Sequence, residues 1–119
     1  MMLDLKKLGQ SFKLAFSGLW QAIIHENTFK AGVLITVVVG FFAFYLPLSY
    51  TQRAIIFLTI FSVLGMEFFN MQLERILNLI DSNHNPEIKI IKDLAAGAVL
   101  LLVIAAAIVA ALIFLPHLI

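Results

Sequence analysis

The sequence contains no cysteine. That excludes disulfides, thiolate metal sites and cysteine nucleophiles, and leaves the redox compartment undetermined. Charge is scarce: 13% of the 119 residues are Asp, Glu, Lys or Arg, and the formal net charge is +1. No basic tail is present, so nothing points to a polyanionic partner such as nucleic acid. Glycine-rich phosphate motifs are missing as well. There is no G-x-x-x-x-G-K-[ST] stretch and no G-x-G-x-x-G after a strand. Internal repeats and low-complexity linkers are absent. The segment Met1–Lys13 does not read as a signal peptide, because Asp4, Lys6, Lys7 and Lys13 interrupt it.

Apolar residues fill the space that charge leaves. They make up 62% of the chain, too much for one soluble core of this length. Lipid as the solvent accounts for the excess. The expected fold class is therefore an all-α membrane protein forming one domain, residues 1–119, with a surface helix followed by three transmembrane helices.

Residues 1–25 read as an amphipathic helix. Leu5, Leu8, Phe12, Ala15, Phe16, Leu19 and Ile23 recur at spacings of three and four, while Lys6, Lys7, Gln10, Lys13 and Gln21 lie mostly off that face. Such a helix can rest in the headgroup plane with Trp20 as an anchor. Packing against a soluble core is the plainer reading, but the rest of the chain offers no such core. A polar break, His25-Glu26-Asn27-Thr28, precedes the first span at 29–48. Pro47, Ser49 and Thr51 mark a turn. The second span is expected at 54–80 and the third at 94–115. Between them lies a polar loop, 81–86, in which Pro86 suits the first turn of a helix. A run of about 20 apolar residues crosses ~30 Å of hydrocarbon. Ala95, Ala96, Gly97 and Ala98 would let a neighbouring backbone approach closely.

Positive charge is asymmetric. Lys6, Lys7, Lys13 and Lys30 precede or begin the first span, and Arg75, Lys89 and Lys92 lie between spans two and three. The first connection carries only Arg53, and the C-terminal end carries no Lys or Arg. The positive-inside rule places the N-terminus and the second connection in the cytoplasm.

The second span holds the informative residues: Glu67, Asn70, Glu74, Asn78 and Asp81. Their steps of three and four keep them within a wedge of about 80° on one helix face. They extend over ~21 Å of helix axis. A charge facing lipid at membrane depth costs at least ~2.5 kcal/mol, so the two glutamates must face protein, water or a cation. Three readings compete. The stripe could be polar glue between helices, although glue more often uses Ser, Thr or Asn. It could line a proton or cation path of a small transporter. It could bind a divalent cation together with nucleotide phosphates, as Mg²⁺ sites do with one or two carboxylates plus substrate oxygens. In that case Lys92 would direct charge at phosphate, and Glu26 would be a third carboxylate at similar depth. His25, His84 and His117 share neither a helix face nor a ligand spacing, which argues against zinc. Met66 and Met71 read as packing residues.

Four stretches taken in order resemble a known family. They are Ser11-Phe12-Lys13-Leu14-Ala15-Phe16-Ser17-Gly18-Leu19, His25-Glu26-Asn27-Thr28-Phe29-Lys30, Glu67-Phe68-Phe69-Asn70-Met71-Gln72-Leu73-Glu74 and Lys92-Asp93-Leu94-Ala95-Ala96-Gly97-Ala98-Val99-Leu100. The family is that of the small bacterial membrane kinases that phosphorylate diacylglycerol or undecaprenol. The resemblance covers nearly the whole chain. Its specific part is E-x-x-N-x-x-x-E followed by K-D-x-A-A-G-A-V-L. The ending Ile113-Phe114-Leu115-Pro116 looks more like the undecaprenol kinase branch.

The resemblance implies a homotrimer in the bacterial inner membrane, with active sites between subunits at the cytoplasmic surface. It implies ATP as phosphoryl donor, Mg²⁺, and a lipid alcohol as acceptor. By resemblance, Glu26 and Glu74 are metal-binding carboxylates and Glu67 is the general base. Asn70 is a polar site residue, Lys92 a phosphate contact and Asp93 a nucleotide-side residue. Two departures stand out. Met71-Gln72 replace the usual Thr-Ala or Ser-Ala, and Asn78 stands where an Asp is expected, with Asp81 one turn further on.

Overall fold

The structure is a computed structural model that describes residues 4–81 and 85–119. His84 lies outside the described residues. Four helices account for nearly all of it: α1 (Leu5–His25), α2 (Asn27–Tyr45), α3 (Tyr50–Ile80) and α4 (Pro86–Leu118). Among the described residues, α2, α3 and α4 are long and apolar enough to cross a membrane. α3 packs against both α2 and α4, and α1 packs against α2.

Local chemistry sets each boundary. Asp4 caps α1 by accepting from the Lys7 N–H at 3.1 Å. The polar break shrinks to one residue: only Glu26 leaves helical geometry, at φ −108° and ψ 109°. It ends α1 and begins α2 at the same position, and its side chain caps neither helix end.

α2 stops at Tyr45, before the expected limit of 48, because Pro47 forces Leu46 into an extended conformation (φ −79°, ψ 151°). α3 then starts four residues before the expected 54. Ser49 and Gln52 form a reciprocal capping box, with bonds of 3.1 and 3.0 Å. α4 begins at Pro86, the residue expected in the first turn of a helix, with Asn85 as its cap, eight residues before the apolar run that starts at 94. At 1.5 Å per residue its 33 residues measure about 50 Å, so it outruns a ~30 Å hydrocarbon layer.

Arg53 closes the α2–α3 turn. Its Nε donates to the Ala43 carbonyl at 2.8 Å and its Nη2 to the Leu46 carbonyl at 3.1 Å. The guanidinium also lies over the Phe44 ring, 5.9 Å from its centroid. These carbonyls have no partner inside α2, and a cation at a helix C-terminus complements its dipole. Beside this turn sits the small buried cluster Ala43, Leu48, Ile56 and Ile113. Elsewhere large side chains such as Leu34, Phe41, Leu58, Phe61, Leu101 and Leu112 are exposed on the helices. Lipid or neighbouring subunits, not this chain's own core, must receive them.

Candidate functional site

The polar stripe on α3 lies along the seam where α2 and α4 flank that helix. At its deep end, Glu67 faces α2. A methyl group placed on the Gly32 Cα would come within 2.9 Å of Glu67 Oε2 and 3.1 Å of Leu64 Cδ2. At the other end Asn78 faces α4, where its Oδ1 accepts from Lys92 Nζ at 2.6 Å.

Glu67 Oε2 and Asn70 Oδ1 are both buried, and neither has a hydrogen-bond partner among the described residues. They stand three residues apart on one helix face, so they are neighbours. A buried acceptor left unsatisfied costs about 1–3 kcal/mol, which makes such a pair exceptional in a folded chain. From Glu67 a furrow of about 420 Å³ runs between α2, α3 and α4 toward the Arg53 turn. Its walls are almost wholly apolar; Thr36, Val63, Ala107 and Phe114 are among the residues lining it. The Thr36 hydroxyl is already committed, donating to the Gly32 carbonyl at 2.9 Å.

The other expected site residues are distributed as follows. Glu26 is half-buried at the α1–α2 junction, where Oε1 accepts from Arg75 Nη2 of α3 at 3.0 Å. Glu74 is exposed on α3. Lys92 is half-buried near the start of α4. Asp93 points to its own helix, pairing with Lys89 at 2.7 Å. Asp81 ends α3 and accepts from Asn85 Nδ2 at 3.5 Å. Phe29 meets Phe68 edge-on at 5.6 Å between centroids and braces α2 against α3 beside the stripe.

The structure thus brings Glu67 together with Asn70, and Asn78 with Lys92. It pairs Glu26 with Arg75, not with another carboxylate. Among the described residues no three His, Asp or Glu side chains gather as a self-contained metal site requires. Sequence reasoning missed two residues. Arg75 adjoins Glu74, but its partner lies 49 residues away and no local spacing reveals it. Gly32 is one small residue in an apolar span, legible only once the helix facing it is known.

Comparison with known proteins identifies the family. The family model described as prokaryotic diacylglycerol kinase matches residues 13–114, a stretch holding every candidate residue above. A Bacillus subtilis protein named undecaprenol kinase is 34% identical over 115 residues, covering 97% of this chain and 94% of its own length. A Synechocystis protein named diacylglycerol kinase is 36% identical over 109 residues, covering 91% of this chain and 62% of its own length. The chain, with its surface helix, its three long apolar helices and its carboxylate stripe, belongs to the prokaryotic diacylglycerol kinase family.

Proposed function

We propose that this protein is a lipid kinase that moves the γ-phosphoryl group of ATP to the hydroxyl of a membrane lipid alcohol, undecaprenol in preference to diacylglycerol. One observation carries the reading: Glu67 Oε2, a buried acceptor with no partner among the described residues, lines an apolar furrow, and a second such acceptor, Asn70 Oδ1, stands one turn along the same helix. A hydrocarbon chain suits the furrow, and an alcohol O–H supplies the donor that Glu67 Oε2 lacks among the described residues. Family membership supports the kinase class. The preference for undecaprenol rests on the Bacillus relative, which matches this chain nearly end to end.

Glu67 accepts the hydroxyl proton as the oxygen attacks phosphorus, and Asn70 orients that hydroxyl. Proton removal needs hydrogen-bond reach, which a carboxylate at furrow depth provides. Lys92 turns its charge to the transferred phosphoryl group. Its partner Asn78 is neutral, so the bond orients the ammonium without cancelling its charge. Asp93, with Lys89, stands on the nucleotide side.

The donor chemistry of Glu26 and Glu74 fits Mg²⁺, which takes hard oxygen ligands and is commonly held by one or two carboxylates plus phosphates. When bound, the ion supplies positive charge across the nucleotide phosphates. Arg75 occupies one oxygen of Glu26 and leaves the other for this role. Most of the work falls to positioning and electrostatics, as is usual for phosphoryl transfer. The site is completed in a homotrimer in the bacterial inner membrane, with the N-terminus and the α3–α4 connection in the cytoplasm.

The test is direct. Purified protein receives labelled ATP and Mg²⁺ with undecaprenol and diacylglycerol in parallel reactions. Label should enter undecaprenol faster. Faster labelling of diacylglycerol reverses the preference, and labelling of neither lipid removes the kinase reading.

A further inference from the structure

We infer that Gly32 is a positioning residue for phosphoryl transfer: its missing side chain is the seat in which the Glu67 carboxylate is held against α2. This rests on the reading of Glu67 as the base.

The geometry is specific. Of the six glycines, only Gly32 has a polar side-chain atom inside the volume a Cβ would fill. Gly9, Gly18, Gly65 and Gly97 would meet nothing within 4 Å, and Gly40 would meet only the edge of the Phe57 ring at 3.5 Å. At Gly32 the nearest atom is Glu67 Oε2, at 2.9 Å, which is closer than a Cβ and an oxygen can rest. That oxygen is also a buried acceptor without a partner among the described residues. No hydrogen bond within the described chain fixes its position, so contact with α2 does. The backbone at Gly32 is ordinary right-handed helix, so the glycine is required for space and not for its conformational freedom. Its carbonyl is tied to the Thr36 hydroxyl, which braces this turn of α2.

An alanine at 32 would therefore move a side-chain tip and not a backbone. The carboxylate ends a flexible chain and can swing into the furrow. In doing so it leaves the place where it meets the lipid hydroxyl. Displacements of about 1 Å at a reacting group can cost 10²-fold in rate. The effect belongs on kcat, because nucleotide binds at the cytoplasmic end of the stripe.

The experiment compares Gly32→Ala, Glu67→Gln and the double variant as folded oligomers in lipid. Gly32→Ala should lower kcat about tenfold or more and leave KM for Mg-ATP unchanged. In the Glu67→Gln background the same change should cost no further activity. A second readout uses neither nucleotide nor lipid substrate: the rate at which dicyclohexylcarbodiimide modifies Glu67, followed by mass spectrometry, should change in Gly32→Ala. Adding Leu64→Ala removes the aliphatic contact at 3.1 Å. The loss should persist in that variant. Unchanged kcat, an unchanged labelling rate, an equal loss in both Glu67 backgrounds, rescue by Leu64→Ala, or failure to fold even with Leu64→Ala would each overturn the inference and leave Gly32 a packing position. Wild-type turnover by Glu67→Gln would instead sink the base assignment, while the labelling rate would still report whether Gly32 seats the carboxylate.

Discussion

Lys92 Nζ donates to Asn78 Oδ1 at 2.6 Å, joining α4 to α3 through an ammonium and a neutral amide. The family resemblance leads one to expect a carboxylate at 78, and a carboxylate would neutralise the cation it holds. With Asn78 the lysine is oriented and keeps its charge for a phosphate. Lys92→Gln should therefore lower kcat/KM for Mg-ATP by about 10- to 100-fold, the range of a charge-assisted hydrogen bond worth 1.5–3 kcal/mol. Asn78→Ala loses orientation but keeps the charge, so its effect should be several-fold smaller. Steady-state kinetics on both variants checks the order, and an equal loss in the two would mean that Lys92 serves α3–α4 packing.

Arg53 has a structural role. Its guanidinium serves the Ala43 carbonyl in the last turn of α2 and shares the Leu46 carbonyl with the Leu48 N–H, which donates to it at 2.8 Å. Arg53→Ala should destabilise the fold by about 1–3 kcal/mol, the cost of stranding the buried Ala43 acceptor at the end of α2. Arg53→Lys should recover little, because one ammonium lacks the fork that reaches both carbonyls. Unfolding in detergent, followed by circular dichroism, measures the shift. Turnover of the remaining folded protein should stay near wild type, since this turn lies at the opposite end of α3 from Glu74.

How much of this was legible beforehand depended on the range of the interaction. The apolar helices announced themselves through hydropathy, and the stripe on α3 through steps of three and four. Their limits were harder to read. Pro47 ends α2 early through the residue before it, and hydropathy does not register that restriction. The Ser49–Gln52 box and the charged first turns of α4 start their helices ahead of the apolar runs, so helix limits and apolar limits differ. Of the site, the pairing of Glu67 with Asn70 follows from helical spacing alone. The Glu26–Arg75 and Glu67–Gly32 contacts are tertiary. They depend on how α2 crosses α3, which no single-helix pattern encodes.

Orientation follows from the distribution of Lys and Arg. The first connection carries Arg53 alone, against seven Lys and Arg residues in the segments assigned to the other side. A reporter fused after Ile119 should be extracytoplasmic, and one inserted between Asn85 and Pro86 should be cytoplasmic. Paired alkaline phosphatase and green fluorescent protein fusions read this out. Both reporters on one side would remove the arrangement of three crossing helices.

The last prediction separates Glu67 from Glu74. They stand seven residues apart on α3, so Glu67 lies about 10 Å further along the helix axis. Their surroundings differ as well: Glu74 is exposed, whereas Glu67 is half-buried and its Oε2 has no donor among the described residues. ATP is too polar to follow α3 far into hydrocarbon, while a lipid alcohol can reach that depth. Glu74→Gln should accordingly abolish Mg²⁺-dependent nucleotide binding and leave the folded oligomer intact, because the isostere preserves packing and removes only charge. Glu67→Gln should leave Mg-ATP affinity nearly unchanged and cut turnover by roughly 10²-fold or more, the scale of general acid–base catalysis. Two measurements on each variant suffice: nucleotide affinity, and turnover at saturating ATP and lipid. If Glu67→Gln loses ATP binding as completely as Glu74→Gln does, the two carboxylates serve one metal cluster and the base assignment is wrong. If Glu67→Gln turns over normally, the lipid hydroxyl is deprotonated elsewhere, and the buried carboxylate at Gly32 is a structural element of the α2–α3 seam.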